Sequence, residues 1–468
     1  MKKHFLLLLL SFLVLSLHAN IRLPNILASN MVLQQQSTTK LWGWASPDEK
    51  IKIITSWNNK TIETSADGNA NWKIDIQTPQ AGGPYTITLQ GENKIVLNNI
   101  LIGEVWVCSG QSNMERNYYT GISSIKEEYE LLNKLNIRLF NMPKTTSKTP
   151  QDDCTGNWTT CDTSTLKAFS AVAYYFGKNL NKTLNVPIGL IASSWGGTPA
   201  EVWTPENLIE NNATLKEASK KNNPTPWWPV NAGYTYNTMI YPIVNYNIAG
   251  TIWYQGESNR EAPLSYTELM NTMITSWRKA WNKDFPFYYV QIAPYKYDKY
   301  NVAALVREAQ TKSLSTEKTG MAVISDLVSD TLDIHPTNKK DVGIRLANIA
   351  LAEAYGLKKD GYKSPLLKSF KVNGSEVVVD FDYAETGLII KGKMPKEIFI
   401  AGKDKIFYPA MVKIKGSAII VSSKKVKIPV AVRYQFSNAG IGNIFTRTGF
   451  PVAPFRTDNW DIDTSTIK

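Results

Sequence analysis

Histidine and cysteine are scarce in this chain, at three of each in 468 residues. So few cysteines make neither a disulfide scaffold nor a Cys-rich zinc cluster. The histidines are His4, His18 and His335, and the first two fall in a segment that reads as a leader. Met1-Lys2-Lys3 precedes an apolar run from Phe5 to Leu17, and Ala19 stands before Asn20. A basic start, a short apolar stretch and a small residue at its end mark a secretory signal peptide over residues 1–19. The run is shorter than the roughly 20 residues a membrane-spanning helix takes, and no cysteine follows it to carry a lipid. The expectation is an exported protein, secreted or periplasmic, with no stable membrane insertion once the leader is cleaved. His335 is then the only histidine left, which excludes a three-His zinc centre.

Acidic excess is missing as well. The net charge is +12, or +10 once Lys2 and Lys3 leave with the leader. Basic residues are scattered or in short groups such as Lys220-Lys221 and Lys339-Lys340, with no continuous stripe. That spacing in an exported chain argues against nucleic acid as a partner and leaves anionic substrates open. Cys154 and Cys161 lie in a polar loop, where an exported protein either bridges such a pair or leaves it reduced. Cys108 sits in an apolar strand and reads as a buried thiol.

Strand and helix patterns fill the rest of the chain. Over 20–100, segments such as TKLWGWA, KIKIITSW, NWKIDIQT and YTITLQ are separated by Asp67-Gly68-Asn69 and Gly82-Gly83-Pro84. This is the pattern of a small β-sandwich or jelly-roll domain. Over 101–360, apolar runs (EVWVCSG, PIGLIASS, GTIWYQG, FYYVQIAP, GMAVISD) alternate with helical stretches. The helical stretches are SSIKEEYELLNKLN, AVAYYFGKNLNKTL and KKDVGIRLANIALAEAYG. Continuous apolar strands alternating with helices predict an α/β domain whose parallel sheet is covered on both faces. From 361 to 468 the chain returns to short strands and a second β-rich domain.

Ligands of open α/β sheets bind at the carboxyl ends of the strands, and four such ends carry unusual residues. After EVWVC comes Gly110-Gln111-Ser112-Asn113-Met114. A serine at that place is either a helix N-cap or a nucleophile among outward-pointing N–H groups. After GLIASS, Gly196-Gly197 supplies backbone donors without side chains in the way. Thr198-Pro199-Ala200-Glu201 behind them reads as a capping box. After GTIWY come Gln255, Gly256, Glu257 and Asn259, polar residues of a solvated loop or a substrate-facing one. The fourth is Asp333-Ile334-His335-Pro336. Serine catalysis needs a base titrating near neutrality, which histidine provides, and a group to hold its tautomer, which Asp333 supplies. Ser112, Asp333 and His335 then form a triad on one sheet edge.

With these residues in hand, the chain resembles the sialate O-acetylesterase family of the SGNH-hydrolase superfamily. The likeness runs through MVLQQ, GWASPDEKI, GEVWVCSGQSNM, FSAVAYYFG, SWGGTPAEVW, GTIWYQGESN, DIHPTNKKDVGIRLA and PFRTDNW, in one order. It implies an SGNH-hydrolase-like, flavodoxin-type parallel sheet flanked by N-terminal and C-terminal β-sandwich-like regions. It also implies Ser112 as nucleophile, His335 as base and Asp333 as orienting acid. The oxyanion hole would draw on Ser112, Gly196 or Gly197, and Gln255. Gln111, Asn113, Glu257 and Asn259 are candidate substrate contacts, and neither a metal nor an organic cofactor is called for. Arg116, Arg260 and Arg307, near the motif loops, are candidate partners for a sialate carboxylate. The expected substrate is an O-acetylated sialic acid. An acetylxylan esterase with the same machinery is the rival, and a glycan-binding protein with an inactive site is the non-enzyme alternative. For sugar stacking, the Trp227-Trp228-Pro229 loop is the candidate.

Overall fold

The computed structural model describes residues 20–357 and 360–466. The proposed leader therefore lies outside the described residues. Residues 20–103 form mostly antiparallel strands, with Val32–Gln34 pairing in parallel to Leu101–Gly103. In Lys50–Thr55 the residues Ile51, Ile53 and Thr55 are buried and the alternate ones exposed, the period of a half-buried strand. Thr38–Trp44 pairs with Asn71–Gln77, and Leu41, Ile51, Trp72 and Leu89 share one apolar cluster.

Strand β1 (Lys94–Gly110) joins this region to the next without a break. Its first half pairs antiparallel with Gly82–Gln90. From Glu104 onward it pairs in parallel with β4 (Ile188–Ser194), which follows β2 (Ile137–Asn141) and β3 (Trp158–Thr160) in the chain. Burial changes with the partners, from alternating to continuous, as expected where a strand enters a sheet covered on both faces. The remaining strands are β5 (Gly250–Tyr254), β6 (Phe287–Val290) and β7 (Thr319–Ala322).

The central order is β7-β6-β5-β1-β4-β2-β3, all neighbours parallel except the edge pair β2 and β3. Without that edge pair, the order is 2-1-3-4-5, one of the two common doubly wound arrangements. Successive residues of β1 feed opposite faces. Val105 and Val107 join the cluster packed under helices Tyr266–Trp281 and Val302–Lys312. Trp106 and Cys108 join the cluster under helices Ala171–Leu184 and Lys339–Glu353. The expected helix over SSIKEEYELLNK winds as 3₁₀ turns from Ser123 to Lys134. Ile122 and Ile125, three residues apart, are buried there, the spacing at which 3₁₀ side chains stack.

Cys154 and Cys161 are free buried thiols. They pack into different clusters, Cys154 with the first and Cys161 with the second, so the structure favours the reduced alternative. Burial pushes both thiols up to about 12.

Two four-stranded antiparallel sheets and a two-stranded one form the C-terminal region, enclosing Val377, Val379, Ile400, Val421 and Val432. The architecture is thus a mixed α/β one with β-sandwich-like sheets at the C-terminus. Arg456 clamps this region to the central one through a two-point pair with Glu308, at 2.9 and 3.0 Å. Among the described residues, no helix is long and apolar enough to cross a membrane.

Candidate active site

The site grows from strands β1, β4 and β5, which end level with one another. Gly110 is in register with both Ser194 and Tyr254, so the three loops that follow emerge side by side. Gly110 must be glycine. Its φ is +136°, and a Cβ there would stand 2.2 Å from the carbonyl oxygen of Tyr254. Past Gly110 the chain turns into a one-turn helix, Ser112–Glu115, with Gln111 rather than Ser112 in the N-cap position. The Ser112 hydroxyl is thereby released from capping. Its own N–H belongs to the first turn, where no intrahelical acceptor exists.

Ser112 Oγ lies 2.9 Å from His335 Nε2. The histidine reaches it from a loop that leaves β7 at Ala322 and returns over the serine helix, well past the strand end where the sequence places it. Asp333 Oδ1 accepts the backbone N–H of His335 at 2.8 Å and stands 3.8 Å from Nδ1. The group within hydrogen-bond distance of Nδ1 is instead the Arg116 guanidinium, at 2.7 Å. Burial, then the charges of Arg116 and Lys339, bring the imidazole down to about 4 against the opposing pull of Asp333. Ser112 and His335, with Glu115, Arg116 and Thr120, line a cleft of about 360 Å³.

Of the glycine pair, Gly196 lies against the serine, where an added Cβ would be 3.3 Å from Ser112 Cβ. Its N–H donates to Glu115 Oε2 at 2.7 Å, and the other carboxylate oxygen of Glu115 pairs with Lys144. Gly197, at φ +81°, is covered by the Trp228 indole, and its carbonyl accepts from Ser258 Oγ at 2.9 Å. Beside it Trp227 is 76% exposed.

The expected substrate contacts Gln111, Asn113, Glu257 and Asn259 are all buried and hydrogen-bonded to neighbouring loops. Gln111 Oε1 accepts the N–H groups of Gly256 and Ser258. Asn259 accepts from Ala200 N at 3.0 Å and donates to Glu201 at 2.8 Å. Gln255, the expected oxyanion donor, is fully buried. Its amide hydrogens go to Thr198 O and Asn259 Oδ1, and its Oε1 accepts from Tyr266 Oη. The capping box at Thr198 is absent too, because Thr198 donates to Trp195 O and Glu201 turns inward.

Lys339 was not singled out by sequence. Fully buried, it donates to Asn113 Oδ1 at 2.5 Å, and burial lowers it to about 7 despite the favourable charge of Glu257. The available signal was a lysine at the first position of a helix, where the macrodipole disfavours cations. Desolvation raises Glu257 in turn. Among the described residues, no group of three His, Cys, Asp or Glu side chains is placed to hold a metal ion.

The fold is consistent with that of an esterase. Residues 102–352 match the family described as carbohydrate esterase, sialic acid-specific acetylesterase. With more than half of its length matched, the chain belongs to that family. The sialate O-acetylesterase of Mus musculus is 28% identical over 425 residues, covering 77% of this chain and 79% of its own. The sialate O-acetylesterase of Homo sapiens is 28% identical over 404 residues, covering 77% and 76%. A crystal structure of a carbohydrate acetylesterase from Xanthomonas citri has a TM-score of 0.84 and 35% identity, covering 94% of this chain and 100% of that one.

Proposed function

We propose that this esterase removes O-acetyl groups from sialic acids by way of an acetyl-enzyme on Ser112. The reading rests on the 2.9 Å contact between Ser112 Oγ and His335 Nε2 at the ends of the central strands. Ser112 Oγ attacks the acetyl carbonyl, His335 Nε2 takes its proton, and the sugar oxygen leaves with that proton. Water then adds to the acetyl-serine, losing a proton to His335, which returns it to Ser112 Oγ as the acyl bond breaks and acetic acid departs. Asp333 serves as the orienting carboxylate. The N–H groups of Ser112 and Gly196 are the oxyanion donors in this reading, Gly196 being released when Glu115 moves off.

The five-strand order with the nucleophile after its first strand supports an SGNH-hydrolase type. We also infer export through the 1–19 leader and a division into 20–100, 101–360 and 361–468. Trp227, exposed beside the Trp228 that covers Gly197, is the surface for a neighbouring sugar ring. Rates on O-acetylated sialate and on acetylated xylan, compared under one set of conditions, test the substrate. The expected preference is for the sialate; a preference for the neutral xylan overturns the substrate assignment and leaves the esterase standing.

A further inference from the structure

Three arginines lie near the motif loops, and the structure separates them. Arg307 is buried and bonded to the carbonyls of Ser437 and Gln435. Arg260 pairs with Glu261 at 3.4 Å and lies over the Tyr297 ring. Arg116 alone of the three lines the cleft with Ser112 and His335, and its place there has a consequence for the proton on His335.

A guanidinium has only donors. Nδ1 of His335, 2.7 Å from Arg116 Nη2, must therefore be the acceptor, and the neutral ring carries its proton on Nε2. That nitrogen faces Ser112 Oγ at 2.9 Å. A base needs a lone pair there, so the pair is held in the tautomer that cannot accept the serine proton. Asp333, which would stabilise the opposite tautomer, waits 3.8 Å from Nδ1. The charged groups that act on His335 are Arg116 from the turn after the serine, Lys339 from its helix and Asp333 from its own loop.

We propose that Arg116 is a latch on His335, released when a carboxylate on the substrate takes the guanidinium. This rests on the sialate reading above. The planar fork of arginine binds carboxylates at two points, and the cleft brings such a group to it. With Arg116 drawn away, the ring gives its Nε2 proton to water and gains one from water at Nδ1, with no net change. The Nδ1–H turns to Asp333, and the Nε2 lone pair faces Ser112. Acidic sugars thus switch on the base that acts on them, and Arg116 sets specificity as well as the protonation of His335.

Two measurements test this. His335 is the single histidine after residue 18, so the ¹⁵N shifts of one imidazole report the tautomer in protein lacking the leader. The free enzyme should carry the proton on Nε2, and saturating N-acetylneuraminate should move it to Nδ1; a free enzyme already protonated on Nδ1 overturns the latch. The second measurement is kcat and KM of Arg116→Ala on O-acetylated sialate and on neutral p-nitrophenyl acetate across pH. The value of kcat/KM for the sialate should fall more than about tenfold, as expected for losing hydrogen bonds to a charged group. The rate on the neutral ester should rise. The acid limb of kcat/KM should move up, because removing the Arg116 charge removes one of the causes that lower His335. Parallel loss on both esters, or an unmoved acid limb, counts against the latch. If Ser112→Ala matches wild type on both esters, the functional reading fails with it; if Ser112→Ala is inactive, failure is confined to the latch.

Discussion

Asn113 and Lys339 meet where water does not reach. The lysine Nζ donates to Asn113 Oδ1 at 2.5 Å, and Asn113 Nδ2 donates to Glu257 Oε1 at 2.7 Å and to Ile334 O at 3.0 Å. One carboxamide therefore bridges a buried amine and a buried carboxylate and also tethers the residue before His335. Asn113→Ala should cost about 2–4 kcal/mol, because it strands polar groups in the interior. It should also lower kcat more than it raises KM, since the histidine loop loses an anchor. Urea denaturation and steady-state kinetics check both. A loss below about 0.5 kcal/mol, the ordinary range for surface substitutions, would contradict the bridge.

Lys339 also gives a pH signature. Its folded value is near 7 against an ordinary 10.5, so between these the unfolded chain binds a proton that the folded one does not. Stability contributed by this group therefore rises with pH across that window and falls as pH drops toward 7. Wild type measured against Lys339→Met should gain relative stability from pH 7 to 10. A difference that stays flat would show that the amine is not held neutral.

Asp333 acts on His335 from 3.8 Å and through the backbone N–H. Asp333→Ala should therefore cost less in kcat than His335→Ala, by on the order of 10–100-fold, as the acid of such a unit costs less than its base when each is removed alone. Equal losses would place Asp333 as tightly on Nδ1 as Arg116 is.

Gly110→Ala should destabilise by about 2–4 kcal/mol, from positive-φ strain and overpacking together. Its Cβ would meet the Tyr254 carbonyl at 2.2 Å. Gly68→Ala, where nothing lies within 4 Å, is the matched control and should be nearly silent. Thermal melting of the two variants separates a general glycine effect from this close approach.

Ser112 was legible because it directly follows a central strand, and His335 because histidine is so rare, although its loop carries it well past the strand end. The continuous apolar runs likewise marked β1, β4, β5, β6 and β7. Burial of the polar loop residues was not legible. Gln255 and Asn259 follow a strand as solvated residues do, yet the loops at 198 and 255 fold onto each other and consume their hydrogen bonds internally. Nor was the place of Arg116 at Nδ1, a contact across 219 residues of sequence. Local pattern reports which face of a strand is apolar; it does not report which loop closes over which.

The central claim is that Ser112 carries the acetyl group, and the most direct measurement is the rate of acetate release from O-acetylated sialate by wild type and by Ser112→Ala. The account predicts a fall of about 10³-fold or more in kcat, the scale seen when the nucleophile of such a unit is removed, in a variant with an unchanged melting temperature. A folded Ser112→Ala variant that keeps more than about a tenth of the wild-type rate would contradict it.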